Sequence, residues 1–100
     1  MRDLTGKKVI VRGVQSGVYF GTLVDRQGQE CELSDVRNIW RWRGAVNLTE
    51  LASRGITQND YNRITSPIES IVLTDICEII ECSEDCIKSI EECPKWQYRN

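Results

Sequence analysis

The apolar stretch of Lys7-Lys8-Val9-Ile10-Val11-Arg12 is β-branched and lies between Gly6 and Gly13, the pattern of a strand with glycine punctuation at both ends. Val9 and Val11 share one face of it. From Val18 to Asp25 the chain alternates, with Val18, Phe20, Thr22 and Val24 on one side and Tyr19, Gly21, Leu23 and Asp25 on the other. This predicts a second strand in which Gly21 marks a bend or a close backbone approach. Asp25-Arg26-Gln27-Gly28 reads as a turn whose glycine takes positive φ, and Gln29 to Val36 as the returning strand, with Cys31 and Leu33 on one face.

Val36 to Gly44 continues as a further strand or as a bent extension of the third. A period of two then places Asn38, Trp40 and Trp42 on one face and Arg37, Ile39, Arg41 and Arg43 on the other. Asn47 or Thr49 is positioned to cap a short helix through Leu48, Leu51 and Ala52 that stops at Gly55. Residues 56 to 67 are polar, end in Pro67 and read as a loop. The isoleucine-rich run Ile68 to Ile80, split near Thr74-Asp75, predicts a hairpin or two short strands at the heart of the sheet.

Ser83 is an N-cap for a final helix, with Glu84 and Asp85 in the first turn, where they meet the positive end of the dipole. Cys86, Ile87, Ile90 and Cys93 form its apolar stripe, Pro94 stops it, and Trp96 and Tyr98 are expected to fold back onto the sheet. The fold class this predicts is α+β: one domain over residues 1–100, with a small, strongly bent antiparallel sheet or open barrel of five to six strands. About two short helices accompany it, one of them C-terminal.

Composition narrows the chemistry. A chain of 100 residues buries roughly 60 to 68 % of its unfolded surface, enough for one core but not for a deep internal pocket. A ligand is therefore expected in a surface groove or between subunits of a homo-oligomer. Apolar runs such as Val9-Ile10-Val11 and Ile71-Val72-Leu73 fall far short of the roughly 18 residues that span a bilayer, so no membrane span is expected. The opening Met1 to Lys8 lacks the apolar stretch of a secretion signal, which implies a cytoplasmic protein whose five cysteines stay reduced.

There is no histidine. That removes the Ser-His-Asp triad, the Cys-His dyad, the His metal ligand and the imidazole proton shuttle, and it argues for a protein that is not an enzyme. Cys77, Cys82, Cys86 and Cys93 lack the Cys-x-x-Cys knuckle of a zinc site, and the last two coincide with a helix stripe, so they read as small core hydrophobes. Cys86 near a helix N-terminus has one cause of a lowered thiol pKa, which Glu84 and Asp85 oppose. No catalytic residue, metal or cofactor is assigned.

The net charge of −2 is divided unevenly along the chain: residues 1 to 63 hold ten Lys/Arg against seven Asp/Glu, and residues 64 to 100 hold three against eight. Any anion site must then be local, and the segment Arg37 to Arg43 is the candidate. In one reading Trp40 and Trp42 face the core and the arginines are edge charges that discourage aggregation. In the other, Arg37, Arg41 and Arg43 hold phosphates while Trp40 or Trp42 stacks on a base. Lys7, Lys8 and Arg12 would extend the positive area if the first strand lay alongside.

Two resemblances bear on function. Phe20-Gly21-Thr22-Leu23, Asp25, the following glycine turn and Leu33 resemble the first motif of Sm-like small β-barrels, over about a third of the chain. The resemblance implies ring-forming oligomers that bind RNA, and no RNA-site residue carries over. Lys8-Val9-Ile10-Val11-Arg12-Gly13, Gly17 to Leu23, Leu33 to Trp42, the isoleucine-rich run before Ser83 and Trp96 look like an uncharacterised family of small bacteriophage and prophage proteins. That likeness implies a phage-encoded protein acting in the host bacterial cytoplasm. The expected function is counter-defence by sequestering a phosphate-bearing nucleotide signal, with Arg37, Trp40, Arg41, Trp42 and Arg43 as the ligand-binding set. The alternatives are an inhibitor of a host defence protein that acts through the acidic residues Glu78, Glu81, Glu84, Asp85, Glu91 and Glu92, and an RNA-binding ring.

Overall fold

In the computed structural model, which describes residues 1–97, six strands and two helices follow one another as β1 (Lys8–Gly13), β2 (Val18–Gln27), β3 (Glu30–Arg41), α1 (Leu48–Arg54), β4 (Arg63–Ile64), β5 (Ile68–Leu73), β6 (Ile76–Glu81) and α2 (Glu84–Glu92). The strands form one antiparallel open sheet in the order β4-β3-β2-β1-β6, with β5 also paired to β3. The α+β class and the C-terminal helix match the expectation. Tyr98 lies outside the described residues.

β1 shows how the sheet is built. Val9 and Val11 point to one side and Ile10 to the other, and all three are fully buried, because β1 is central and both its faces are covered. Ile10 joins Phe20, Ile39, Leu51, Ile64, Cys86 and Ile90 in the core under the two helices. Val9 and Val11 join Leu23, Leu33, Val36, Leu73 and Ile76 in a second core drawn almost wholly from strands. Strands β5 and β6, from opposite ends of the sheet, both contribute to that second core, so the sheet curls around it. Of the hairpin or two short strands expected around Thr74-Asp75, the two short strands form, joined by a corner: β5 pairs with β3 and β6 with β1, at the flanks of the sheet rather than at its heart.

The Val36–Arg41 stretch is the bent continuation of β3 rather than a separate strand. Asp35 adopts φ 52°, a left-handed conformation uncommon outside glycine, and the β2–β3 register shifts nearby. The extra residue reverses the alternation. Cys31 and Leu33 face the strand-lined core and Val36 stays with them, while Ile39 turns to the helix side. Within the stretch read as a loop, Arg63 and Ile64 pair with the end of β3 as β4, and Ile64 is fully buried.

Both helices start at the expected caps. Asn47, not Thr49, accepts from the Glu50 N–H at 2.9 Å, and Ser83 accepts from the Cys86 N–H at 3.0 Å. Gly55 ends α1 at φ 82° where the helices touch, and a Cβ there would run into the Ser89 side chain. Cys31, Cys82, Cys86 and Cys93 are buried free thiols, and Cys77 is an exposed one. No helix among the described residues is long and apolar enough to cross a membrane.

Asp75 ties the corner down. Its carboxylate accepts from the Gln15 and Ser16 N–H groups at 2.8 and 3.0 Å and from the Ser16 hydroxyl at 2.7 Å, which joins the β1–β2 turn to the β5–β6 corner. Those donors, led by the Gln15 N–H, hold its pKa below the ordinary 3.8. Because the folded value is depressed, the stabilisation is present above pH 3.8 and is lost as the pH falls through the depressed value. Asp75→Ala should therefore unfold at lower urea concentration than the parent at neutral pH, and the gap should narrow below pH 3.8. A gap that is constant with pH would show that the carboxylate charge contributes nothing.

Candidate functional site

The Arg37 side chain turns inward. It is 5 % exposed, and its guanidinium donates to the carbonyls of Thr65 at 2.7 Å, Ile90 at 2.6 Å and Ile64 at 3.2 Å. Arg37 and Ile39 do share a face, as the period of two predicts, but the bulge at Asp35 turns that face toward the helices. Burial lowers the Arg37 pKa from its ordinary value, and the three carbonyls compensate for the lost hydration. The Ile90 carbonyl lies in the last turn of α2, where the helix dipole favours a cation. Arg37 is thus a structural tie and is not placed to hold phosphate.

Arg41 is the last residue of β3, Arg43 follows it by two, and both are exposed. Their guanidinium carbons sit 4.3 and 4.1 Å from the centre of the Tyr61 ring. Backbone bonds fix the arrangement: Arg41 Nε donates to the Tyr61 carbonyl at 2.7 Å, and the Arg43 N–H donates to Asn62 Oδ1 at 2.8 Å. Asn62 is 7 % exposed and is itself anchored through Nδ2 to the Thr57 carbonyl at 2.9 Å.

Trp40 is the open tryptophan, 65 % exposed and stacked on Trp96 with ring centres 5.1 Å apart and planes 28° from parallel. The Trp96 N–H donates to the Ile64 carbonyl at 2.9 Å, so the C-terminal segment folds back as expected, and Arg63 lies 5.6 Å over the Trp96 ring. Two clusters result, Trp40–Trp96–Arg63 and Arg41–Tyr61–Arg43, linked where Arg41 pairs with Arg63 across β3 and β4. Among the described residues none of these three arginines has a carboxylate within 4.0 Å, whereas Arg2, Arg12 and Arg54 each have one and Lys8 has two.

Trp42 stands apart. It is half-buried against the helix-side core, donates from Nε1 to the Ala45 carbonyl at 3.0 Å, and lines a groove of about 510 Å³ beside the Arg12–Glu78 pair. Lys8 and Arg12 do not extend the positive area, because β2 lies between β1 and β3 and both cations have carboxylate partners. A groove of about 910 Å³ lies between Leu4, Leu23, Arg26 and Ile76–Ile79, and holds none of Arg37, Trp40, Arg41, Trp42 and Arg43. Cys86, the thiol beside the α2 N-terminus, is completely buried.

Tyr61 and Arg63 escape a reading by periodicity because Tyr61 lies outside the strands and helices and β4 is only two residues long. The available signal was an aromatic and an arginine together in Asp60-Tyr61-Asn62-Arg63.

A family model described as Domain of unknown function (DUF6948) matches residues 6–90. The chain belongs to the DUF6948 family. The match covers every strand and reaches Ile90 in α2, so Arg41, Arg43, Tyr61 and Arg63 fall inside the DUF6948 domain and Trp96 lies just beyond it. No curated protein and no solved structure matches the chain.

Arg37→Lys keeps the charge but replaces a fork of donors with a single ammonium, which leaves at least one of the three carbonyls without its partner. At about 1.5 to 3 kcal/mol per charged hydrogen bond, urea denaturation should show a loss of about 2 to 5 kcal/mol. A variant as stable as the parent would show that the carbonyls find other donors.

Proposed function

We propose that this protein is a non-enzymatic binder of a phosphate-bearing nucleotide and that the Trp40–Tyr61–Arg63 surface is where the nucleotide sits. The observation that carries the reading is the pair of guanidiniums, Arg41 and Arg43, set about one aromatic ring and without a carboxylate partner among the described residues. Guanidinium forks suit phosphate oxygens, and an exposed indole suits a base, at about 1 to 3 kcal/mol per stacked base. Arg41 and Arg43 hold the phosphates, Arg63 borders them, and Trp40, backed by Trp96, stacks. Arg37 supports the site from within, through its bonds to Ile64, Thr65 and Ile90, and Trp42 is not part of it.

The likeness to bacteriophage and prophage proteins supplies the setting: an accessory protein in the host cytoplasm that sequesters a nucleotide signal of host defence. The acidic third gives the host-protein inhibitor less support. Glu78 and Glu81 pair with Arg12 and Arg2 at 2.9 Å, and Glu91 lies 3.9 Å from Lys8.

Isothermal titration against cyclic dinucleotides and ADP-ribose-type nucleotides tests the reading. The double variant Arg41→Ala/Arg43→Ala should keep the parent's circular dichroism, since neither guanidinium lies in a core, and lose about 100-fold or more in affinity. Parent-like affinity in that folded variant removes the two residues from the site. Stronger binding to single-stranded RNA, with a steep salt dependence, would replace the nucleotide with the nucleic-acid reading.

A further inference from the structure

β5 pairs with β3 along one side, and among the described residues no other strand pairs with it. Its outer face carries Ile68 at 52 % and Val72 at 61 % exposure, while Leu73 on the inner face is buried. Exposed edges are ordinarily blunted by lysine, proline, a bulge or a covering element. Ile68-Glu69-Ser70-Ile71-Val72-Leu73 contains no lysine, arginine or proline and a single charge.

We propose that the β5 edge pairs antiparallel with the β5 edge of a second copy of this chain, about a two-fold axis through Ser70. The residue pattern selects this register. In an antiparallel pair, residues directly opposite one another share a face, so a two-fold pairing of identical strands that keeps inner and outer faces aligned must be centred on a residue. Centred on Ser70, Ile68 lies opposite Val72 of the second copy, twice by symmetry, and Glu69 lies opposite Ile71. Centred on Glu69, two carboxylates meet, which is destabilising. Centred on Ile71, Val72 meets Ser70 and Ile68 falls opposite Thr74, beyond the strand, so both exposed apolar side chains lose their apolar partners. Ser70 thus gives an edge contact that is apolar and free of like-charge opposition.

A contact through one strand of 6 residues is small beside the about 1,200 Å² or more of stable interfaces, so the dimer should be reversible and concentration-dependent. It uses the free edge of β5, which flanks the Cys31–Val36 half of β3 rather than the Trp40–Arg43 end, and does not rest on ligand binding.

Cysteine cross-linking of the full chain reads the register directly. In a Cys77→Ser background, Ser70→Cys is treated with a diamide; two thiols become one disulfide, and the diamide takes the two electrons and two protons as it is reduced to the hydrazine. Directly opposed Cα atoms about 4.5 to 5.5 Å apart suit a disulfide. Ser70→Cys should give a covalent dimer. Val72→Cys should not, because its symmetry mate is displaced by four residues, about 13 Å along the strand. Sedimentation velocity of the otherwise native chain should show a reversible dimer, and Val72→Lys should raise its dissociation constant about tenfold or more with unchanged circular dichroism. A chain that is monomeric at millimolar concentration overturns the proposal, as does cross-linking through Val72→Cys as efficient as through Ser70→Cys.

Discussion

The buried guanidinium of Arg37 ties together three parts of the molecule, β3, the β4 end and the end of α2. It leaves β3 on the helix side and donates to Ile64 at β4, to Thr65 just beyond it and to Ile90 at the end of α2. Among the described residues this buried cation has no carboxylate within 4.0 Å, which is costly unless its donors meet acceptors with good geometry, and three carbonyls supply them. Through these bonds the end of α2 is fixed against β4. The chain leaving α2 passes Pro94 and places the Trp96 N–H on the same Ile64 carbonyl that Arg37 uses, which sets the Trp96 ring on Trp40. The aromatic part of the candidate surface is a consequence of that tie.

The curled sheet supplies the rest. Closing one core among the strands and another beneath the helices requires β3 to serve both, and the positive φ at Asp35 is where it changes sides. Beyond that point Ile39 packs into the helix-side core, and β3 ends at the exposed Arg41. Asn62, buried and bonded to both Arg43 and Thr57, stiffens the neighbouring loop. Arg41 and Arg43 are thereby held in place although their side chains are exposed, an arrangement that lowers the ordering cost of binding.

Much of this was legible in the residues. The β-branched run at Val9–Val11, the alternation from Val18 onward, the caps at Asn47 and Ser83 and the helical stripe of Cys86, Ile90 and Cys93 each follow a local rule that packing upholds. The direction of Arg37 was not legible, because it depends on a bulge at a non-glycine residue that periodicity does not announce. Trp40 and Trp42 share an expected face, yet they part because Trp42 lies beyond the strand, where its indole bonds to Ala45. Tyr61 and Arg63 were lost inside a polar loop because the short pairing of β4 is made by contacts distant in sequence. Of the arginines singled out, Arg41 and Arg43 reach the candidate surface, and they do so with partners that only tertiary structure brings together.

The most direct test of the central claim is a two-dimensional NMR titration that follows the indole and arginine Nε–H signals together with the backbone amides as ADP-ribose or a cyclic dinucleotide is added. The account predicts saturable shifts at the Trp40 and Trp96 indoles and at Arg41 and Arg43, with Arg37 Nε–H and the Ile76–Ile79 amides unmoved. Saturable shifts confined to Leu4, Leu23 and Ile76–Ile79 would place the ligand in the groove they line and contradict it.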